Sequence, residues 1–119
     1  MKWNTWGSEN MKLVIIFLNK IEYLEDLLSA FLENSIPGAT ILNSEGMGHV
    51  ISDNIPIFAG LKDAFTGSSP VNKLIITAVE EELVEKIKAI FQDVCGNLDT
   101  PGVGPIITLP IDKTFGLKK

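Results

Sequence analysis

Leu13-Val14-Ile15-Ile16-Phe17-Leu18 is a run of six apolar residues, half of them β-branched, and it reads as a strand with no polar face. Immediately after it the spacing changes. Ile21, Leu24, Leu27, Leu28, Phe31 and Leu32 recur with helical periodicity, while Glu22, Glu25, Asp26 and Glu33 fall mostly off that stripe. Asn19, with Glu22 three positions on, predicts a helix start in which Asn19 plays the capping part. The helix stops before Pro37-Gly38. A short second strand over 39–43 then leads into Glu45-Gly46-Met47-Gly48.

The rest of the chain repeats that pattern. From 49 to 71 periodicity is lost and Pro56, Gly60, Gly67, Ser68, Ser69 and Pro70 accumulate, which reads as a long loop with room for a helical turn over 58–65. Residues 73–79 form the third strand and 81–94 the second helix, whose stripe is Leu83, Val84, Ile87, Ile90, Phe91 and Val94, with Gly96 as its C-terminal cap. Thr100-Pro101-Gly102-Val103-Gly104-Pro105 is a glycine-rich turn before a last strand over 106–111. The order βαββαβ predicts an α+β, ferredoxin-like domain with both helices on one face of an antiparallel sheet. A sheet with one wet face should alternate apolar and polar residues, yet the first, third and last strands are apolar at nearly every position. That pattern predicts a homo-oligomer whose sheets pack together; the rival is that the long loop folds back over the face.

Composition narrows the function classes. With 119 residues, 45% of them hydrophobic and 21% charged, the chain has material for one domain and one core. Its formal charge of -5 argues against a phosphate-backbone binder, so no nucleic-acid partner is expected. All ten basic residues are Lys, which removes the bidentate guanidinium fork from any anion site. One cysteine, Cys95, and one histidine, His49, exclude an intramolecular disulfide and a multi-His metal site within a single chain, and fit a cytoplasmic setting. The apolar runs are far short of the roughly 20 residues of a membrane span, and no direct membrane insertion is expected. Residues 1–11 lack periodicity and read as a flexible extension, an alternative start or residues added in cloning, ahead of a domain over 12–119.

At Pro37-Gly38-Ala39-Thr40-Ile41-Leu42-Asn43-Ser44-Glu45-Gly46-Met47-Gly48 the sequence resembles the nitrogen regulatory protein P-II superfamily, whose second strand carries Gly-x-Thr followed by Gly-x-Gly at this spacing. The 49–71 segment resembles that family's T-loop, Lys73-Leu74-Ile75-Ile76 its third strand, and Gly102-Val103-Gly104 its B-loop. The resemblance implies a divergent P-II-like signalling protein. It would be a homotrimer that binds an adenine nucleotide (AMP, ADP or ATP) as effector in subunit clefts, with no tightly bound cofactor and no enzymatic activity. It would report to a protein partner such as a transporter or metabolic enzyme through its loop.

By position, Thr40 takes the place of the family's adenine-contacting threonine, and Gly46, Met47 and Gly48 that of the T-loop base, with His49 next in line. Thr77 falls where a third-strand backbone group meets the base, and Gly102, Val103 and Gly104 where B-loop N–H groups face phosphate. The departures are specific. His49-Val50 stand where the nitrogen sensors have Arg-Gln, Pro105 where they have Lys, and Gly116 and Lys118 where they have two arginines. The groups with which those sensors hold triphosphate and 2-oxoglutarate are therefore not carried over, apart from the charge of Lys118. The sole tyrosine, Tyr23, lies in the first helix, which excludes uridylylation of a loop tyrosine.

Other residues have plainer readings. His49 reads as an exposed loop histidine, and Cys95, at a helix C-terminus, as a half-buried structural thiol. Glu80-Glu81-Glu82 reads as a helix start stabilised by the dipole. Lys62, Lys73, Lys113 and Lys118 are the candidate cations for a phosphate, and Ser52, Ser68 and Ser69 candidate modification sites. Two alternatives stay open: a metal-linked trimer like the CutA proteins, which share the architecture, and a cyclic dinucleotide sensor.

Overall fold

The computed structural model describes residues 10–48, 50 and 72–117. Four strands form one sheet: β1 (Met11–Leu18), β2 (Thr40–Ser44), β3 (Asn72–Glu80) and β4 (Ile106–Pro110). Their order is β2-β3-β1-β4, and every neighbouring pair is antiparallel. Two helices, α1 (Leu24–Glu33) and α2 (Val84–Cys95), are each entered through a 3-10 turn, Ile21–Tyr23 and Glu81–Leu83. This is the α+β, ferredoxin-like arrangement expected from the strand and helix order. β1 starts at Met11, which is buried, one residue inside the segment assigned to the extension. Among the described residues no helix is long and apolar enough to cross a membrane.

Period-two alternation sorts the sheet into two faces. Val14, Ile16 and Leu18 of β1, with Ile75, Thr77 and Val79 of β3, point at the helices and are buried. Leu27 and Phe31 of α1 and Ile87, Phe91 and Cys95 of α2 close over them. Fully burying an aliphatic side chain of this size stabilises by about 1.5–3 kcal/mol, so this layer is the main source of the fold's stability. The opposite face carries Leu13, Ile15 and Phe17 beside Leu74, Ile76 and Ala78, with Leu109 and Ile107 on β4 and Leu42 on β2. None of these lies under a helix: Leu42, Ile107 and Leu109 are 45%, 42% and 44% exposed, and the central ones are half-buried. The double-faced apolar reading of β1 is therefore half met within one chain.

The helix stripes hold with two corrections. Leu24, Leu27, Leu28 and Phe31 pack on the core, but Ile21 sits in the 3-10 turn and is exposed, and Leu32 is 67% exposed. Asn19 does not cap α1. The chain enters through a turn in which the Tyr23 N–H donates to the Lys20 carbonyl at 3.0 Å, and no side chain caps it.

The C-terminus of α1 is closed by the backbone. Ser35 adopts φ 65, which lets its N–H donate to the Leu32 carbonyl at 3.2 Å and the Ile36 N–H reach the Phe31 carbonyl at 2.8 Å. Ile36 thereby turns inward and joins Phe31 in the core, completing a Schellman closure. Gly96 ends α2 as expected, at φ 114, its N–H donating to the Gln92 carbonyl at 3.1 Å.

A serine at a left-handed position carries a steric cost that glycine lacks. Ser35→Gly is expected to raise stability by about 0.5–1 kcal/mol, and Ser35→Val to lower it by more than that, both read as shifts of the urea midpoint at constant slope.

Candidate functional site

Two regions collect the residues that the sequence singled out, and they lie at different ends of the sheet. The first is an open groove of about 510 Å³ between the segment leaving α1 and the second half of β3. Thr40 and Thr77 both line it, together with Gly38, Ala39, Val79 and Leu83. The groove exists because Ile36 is held inward and Pro37-Gly38 then crosses to the sheet edge. Thr77, buried on the helix face of β3, donates its hydroxyl proton to the Gly38 carbonyl and so fastens that crossing to the sheet. Its side chain is committed to the fold. Thr40, on β2 and paired with Ile76 of β3, is exposed and lines the groove.

The second region is the end of the sheet where β1 stops, β2 ends and β3 begins. Gly46 begins a helical turn in which the Val50 N–H donates to the Gly46 carbonyl at 3.2 Å; Met47 is exposed and Gly48 buried. Gly102, Val103 and Gly104 form a turn held from both sides. The Val103 N–H donates to the Thr100 carbonyl at 3.2 Å, and the Val103 side chain is buried in the core. Asn19 Nδ2 donates to the carbonyls of Gly102, at 3.0 Å, and Gly104, at 3.1 Å. The Gly104–Pro105 peptide is cis, and the Pro105 carbonyl accepts from the Phe17 N–H at 3.0 Å. A Cβ on Gly104 would stand 2.7 Å from Leu98 Cδ2, so glycine there lets the turn lie against Leu98. Because the Val103 N–H is used within the turn, an anion approaching it would meet the N–H groups of Gly102 and Gly104.

Three polar side chains join this turn to the β2–β3 end, and the sequence reading missed their role. Asn19 Oδ1 accepts from Asn72 Nδ2 at 2.8 Å, and Asn72 Oδ1 accepts from Ser44 Oγ at 2.8 Å. Asn19 had a local explanation as a cap, which hid a contact reaching more than eighty positions along the chain. Nothing local marks Asn72 or Ser44; their meeting follows from the antiparallel register that sets Ser44 opposite Asn72.

The groove and the turn are well separated. From Thr77 to Asn72 is five residues of β3, about 17 Å at the rise of an extended strand. Thr40 and Thr77 thus line one groove, whereas Gly46 to Gly48 follow Ser44, and Gly102 to Gly104 are tied to Asn19, toward the other end of the sheet. His49, Lys118, Lys62, Ser52, Ser68, Ser69 and the 58–65 turn lie outside the described residues, as does most of the 49–71 loop. Of the remaining candidate cations, Lys73 donates through Nζ to Asn43 Oδ1, and Lys113 is exposed. Among the described residues no three His, Cys, Asp or Glu side chains converge as a metal site would require.

Cys95 is buried beside the glycine-rich turn rather than half-buried, and desolvation raises its thiol from 9.0 to about 11 against a smaller opposing pull from Lys20.

No protein-family model and no curated protein matches the sequence. Solved structures do match in fold. The chain is similar to Arabidopsis thaliana PII bound to citrate, with 16% identity and a TM-score of 0.61 over 87% of this chain and 78% of that one. It is similar to a functionally unknown protein from Pediococcus pentosaceus, with 18% identity and a TM-score of 0.62 over 92% and 99% of the two chains. It is similar also to the B. subtilis GlnK–ATP complex, with 17% identity and a TM-score of 0.60 over 90% and 86%. The fold is P-II-like, as the ordered glycine motifs implied.

The raised thiol gives a signed pH dependence. Below about pH 9 both the folded and unfolded chains keep the proton and Cys95 adds no slope. Between 9 and about 11 the unfolded chain sheds it while the folded chain retains it, so stability falls as pH rises. The drop in urea midpoint from about pH 8 to about pH 10.5 is therefore expected to be larger in the parent protein than in Cys95→Ala.

Proposed function

We propose that this chain is a non-enzymatic regulatory subunit. It binds a small-molecule effector, an adenine nucleotide, in a cleft between two copies of itself within a homotrimer, and signals to a protein partner through its 49–71 loop. The observation that carries this reading is the separation of the two candidate regions. In one chain Thr77 of the groove lies five residues of β3, about 17 Å, from Asn72, which reaches the Gly102–Gly104 turn only through Asn19, whereas facing regions of two adjacent chains can enclose one ligand.

The uncovered face agrees with such an assembly. A contiguous apolar surface built from Leu13, Ile15, Phe17, Leu74, Ile76, Ile107 and Leu109 is what a sheet needs in order to pack on further copies. The number three rests on the resemblance. Similar folds occur in a PII bound to citrate and in a GlnK–ATP complex, which supports an anionic small molecule as the effector class. Glycine N–H groups and lysines, without any arginine, favour a ligand with fewer phosphates than ATP. Such an effector acts by population shift: it changes the loop only insofar as it binds one loop state more tightly than another.

Calorimetry and thermal shift against AMP, ADP, ATP, cyclic AMP, cyclic di-AMP and citrate, with and without magnesium, test the reading. A ligand at about 100 times its Kd stabilises the folded state by about 2.7 kcal/mol, an easily read rise in Tm. Thr40→Val and Gly46→Asp are expected to abolish that rise at unchanged basal Tm. The Gly46 position has open space for a side chain, so the aspartate introduces charge rather than a clash. No response to any of these ligands by an assembled protein would overturn the nucleotide reading.

The assembly has its own test. Leu109→Lys on the exposed part of the open face is expected to convert the oligomer to monomer by light scattering, with the far-UV spectrum retained, because the lysine stays solvated on the free chain and is desolvated in the contact.

A further inference from the structure

The polar side chains at the end of the sheet form a chain with a direction. The Ser44 hydroxyl donates to Asn72 Oδ1, Asn72 Nδ2 donates to Asn19 Oδ1, and Asn19 Nδ2 spends both its protons on the carbonyls of Gly102 and Gly104. The last pair sets the polarity, since two carbonyl oxygens accept only from a donor. Reversing the Asn19 amide would face its oxygen against both carbonyls. Reversing Asn72 would face its oxygen against Asn19 Oδ1. Neither amide can turn alone without placing oxygen on oxygen, so the orientation at one end dictates the orientation at the other.

The two ends are a pair of strand termini and a turn. Ser44 closes β2 and Asn72 opens β3, so they are the points from which the 45–71 connection leaves and returns to the sheet. Gly102 to Gly104 is a turn whose Gly102–Val103 peptide is gripped at both sides, its carbonyl by Asn19 and its N–H by Thr100. Releasing Asn19 frees one side of that grip and also the carbonyl of Gly104.

We propose that Asn19 and Asn72 are a relay that sets the conformation of the Gly102–Gly104 turn together with that of the Ser44 and Asn72 strand ends, so that displacing either end loosens the other. The relay would link the turn to the loop's roots in the proposed regulator. It does not rest on that reading, because the coupling belongs to the unliganded chain.

Amide hydrogen exchange on the full ligand-free protein tests it, with the core amides of α2 as the measure of global opening. Val103 and Phe17 report the turn through their bonds to the Thr100 and Pro105 carbonyls. Asn72→Ala, which touches neither, is expected to speed exchange at Val103 and Phe17 about tenfold relative to α2, the scale of one lost hydrogen bond. In an Asn19→Ala background the same substitution is expected to have no further effect at those amides. If Asn19→Ala does not fold, Asn19→Ser, whose single hydroxyl proton serves only one carbonyl, takes its place in the cycle. Exchange at Val103 and Phe17 unchanged by Asn72→Ala, or raised equally with and without Asn19, would overturn the relay. The outcome is independent of the ligand screen, so either proposal can fail alone.

Discussion

β1 is the constraint on which the rest of the structure depends. Flanked by β3 on one side and β4 on the other, it has its backbone groups committed to neighbours on both edges, and its side chains are left to decide what covers the sheet. Because successive residues point to opposite faces, an all-apolar strand asks for two covers. The helices provide one, through Leu27, Phe31, Ile87 and Phe91. Leu13, Ile15 and Phe17 point to the other side, where β3 and β4 add Leu74, Ile76, Ile107 and Leu109 rather than a polar surface. The sheet is thus apolar on both faces along most of its width, and the proposed assembly is the second cover that this pattern calls for.

That pattern was legible from spacing alone because burial and period are local properties of a sequence. β1, β3 and β4 lie where the apolar runs put them, β2 lies at Thr40–Ser44 against an expected 39–43, and the second helix begins at Val84 behind a 3-10 turn rather than at 81. Gly96 ends α2 as a glycine past the last periodic residue should. The departures share one physical origin, which is contact between distant segments. Asn19 offered a plausible cap and instead reaches across to the glycine-rich turn. Ile21 and Leu32 fit the helical stripe, but the 3-10 entry turns the first outward and the second lies at its margin. Ser35 carries no signal of a left-handed residue, and only the closure that brings Ile36 under Phe31 explains it. Thr40, Thr77 and the glycines were singled out through the order of motifs, whereas Ser44 and Asn72 carried no signal, because their contact depends on strand register.

The electrostatics of the glycine-rich turn follow from the same accounting of donors and acceptors. Pro101 and Pro105 supply no N–H, and that of Val103 bonds inside the turn, so the anion-binding capacity is narrower than three successive glycine-like residues suggest. With its two glycine carbonyls drawn onto Asn19, the turn presents less negative potential to an incoming ligand than a bare loop would. Lysine charge has to come from elsewhere, and Lys73, the nearest in sequence to the loop's return, is engaged with Asn43.

Asparagine at position 19 is the residue type this geometry requires. The site asks for two donors side by side and one acceptor pointing back, which a neutral planar amide supplies on a short stem. Aspartate would accept from Asn72 but repel both carbonyls, and serine would serve one of them. Glutamine has the same groups on a longer stem and would push them past the end of β1. The amide also carries no net charge, so a partly buried junction is satisfied without the desolvation cost an ion would bring. A junction that is neutral and directional holds the turn at rest, yet its stability depends on every member keeping its orientation. In the proposed relay that combination makes the end of the sheet respond as a unit rather than as separate parts.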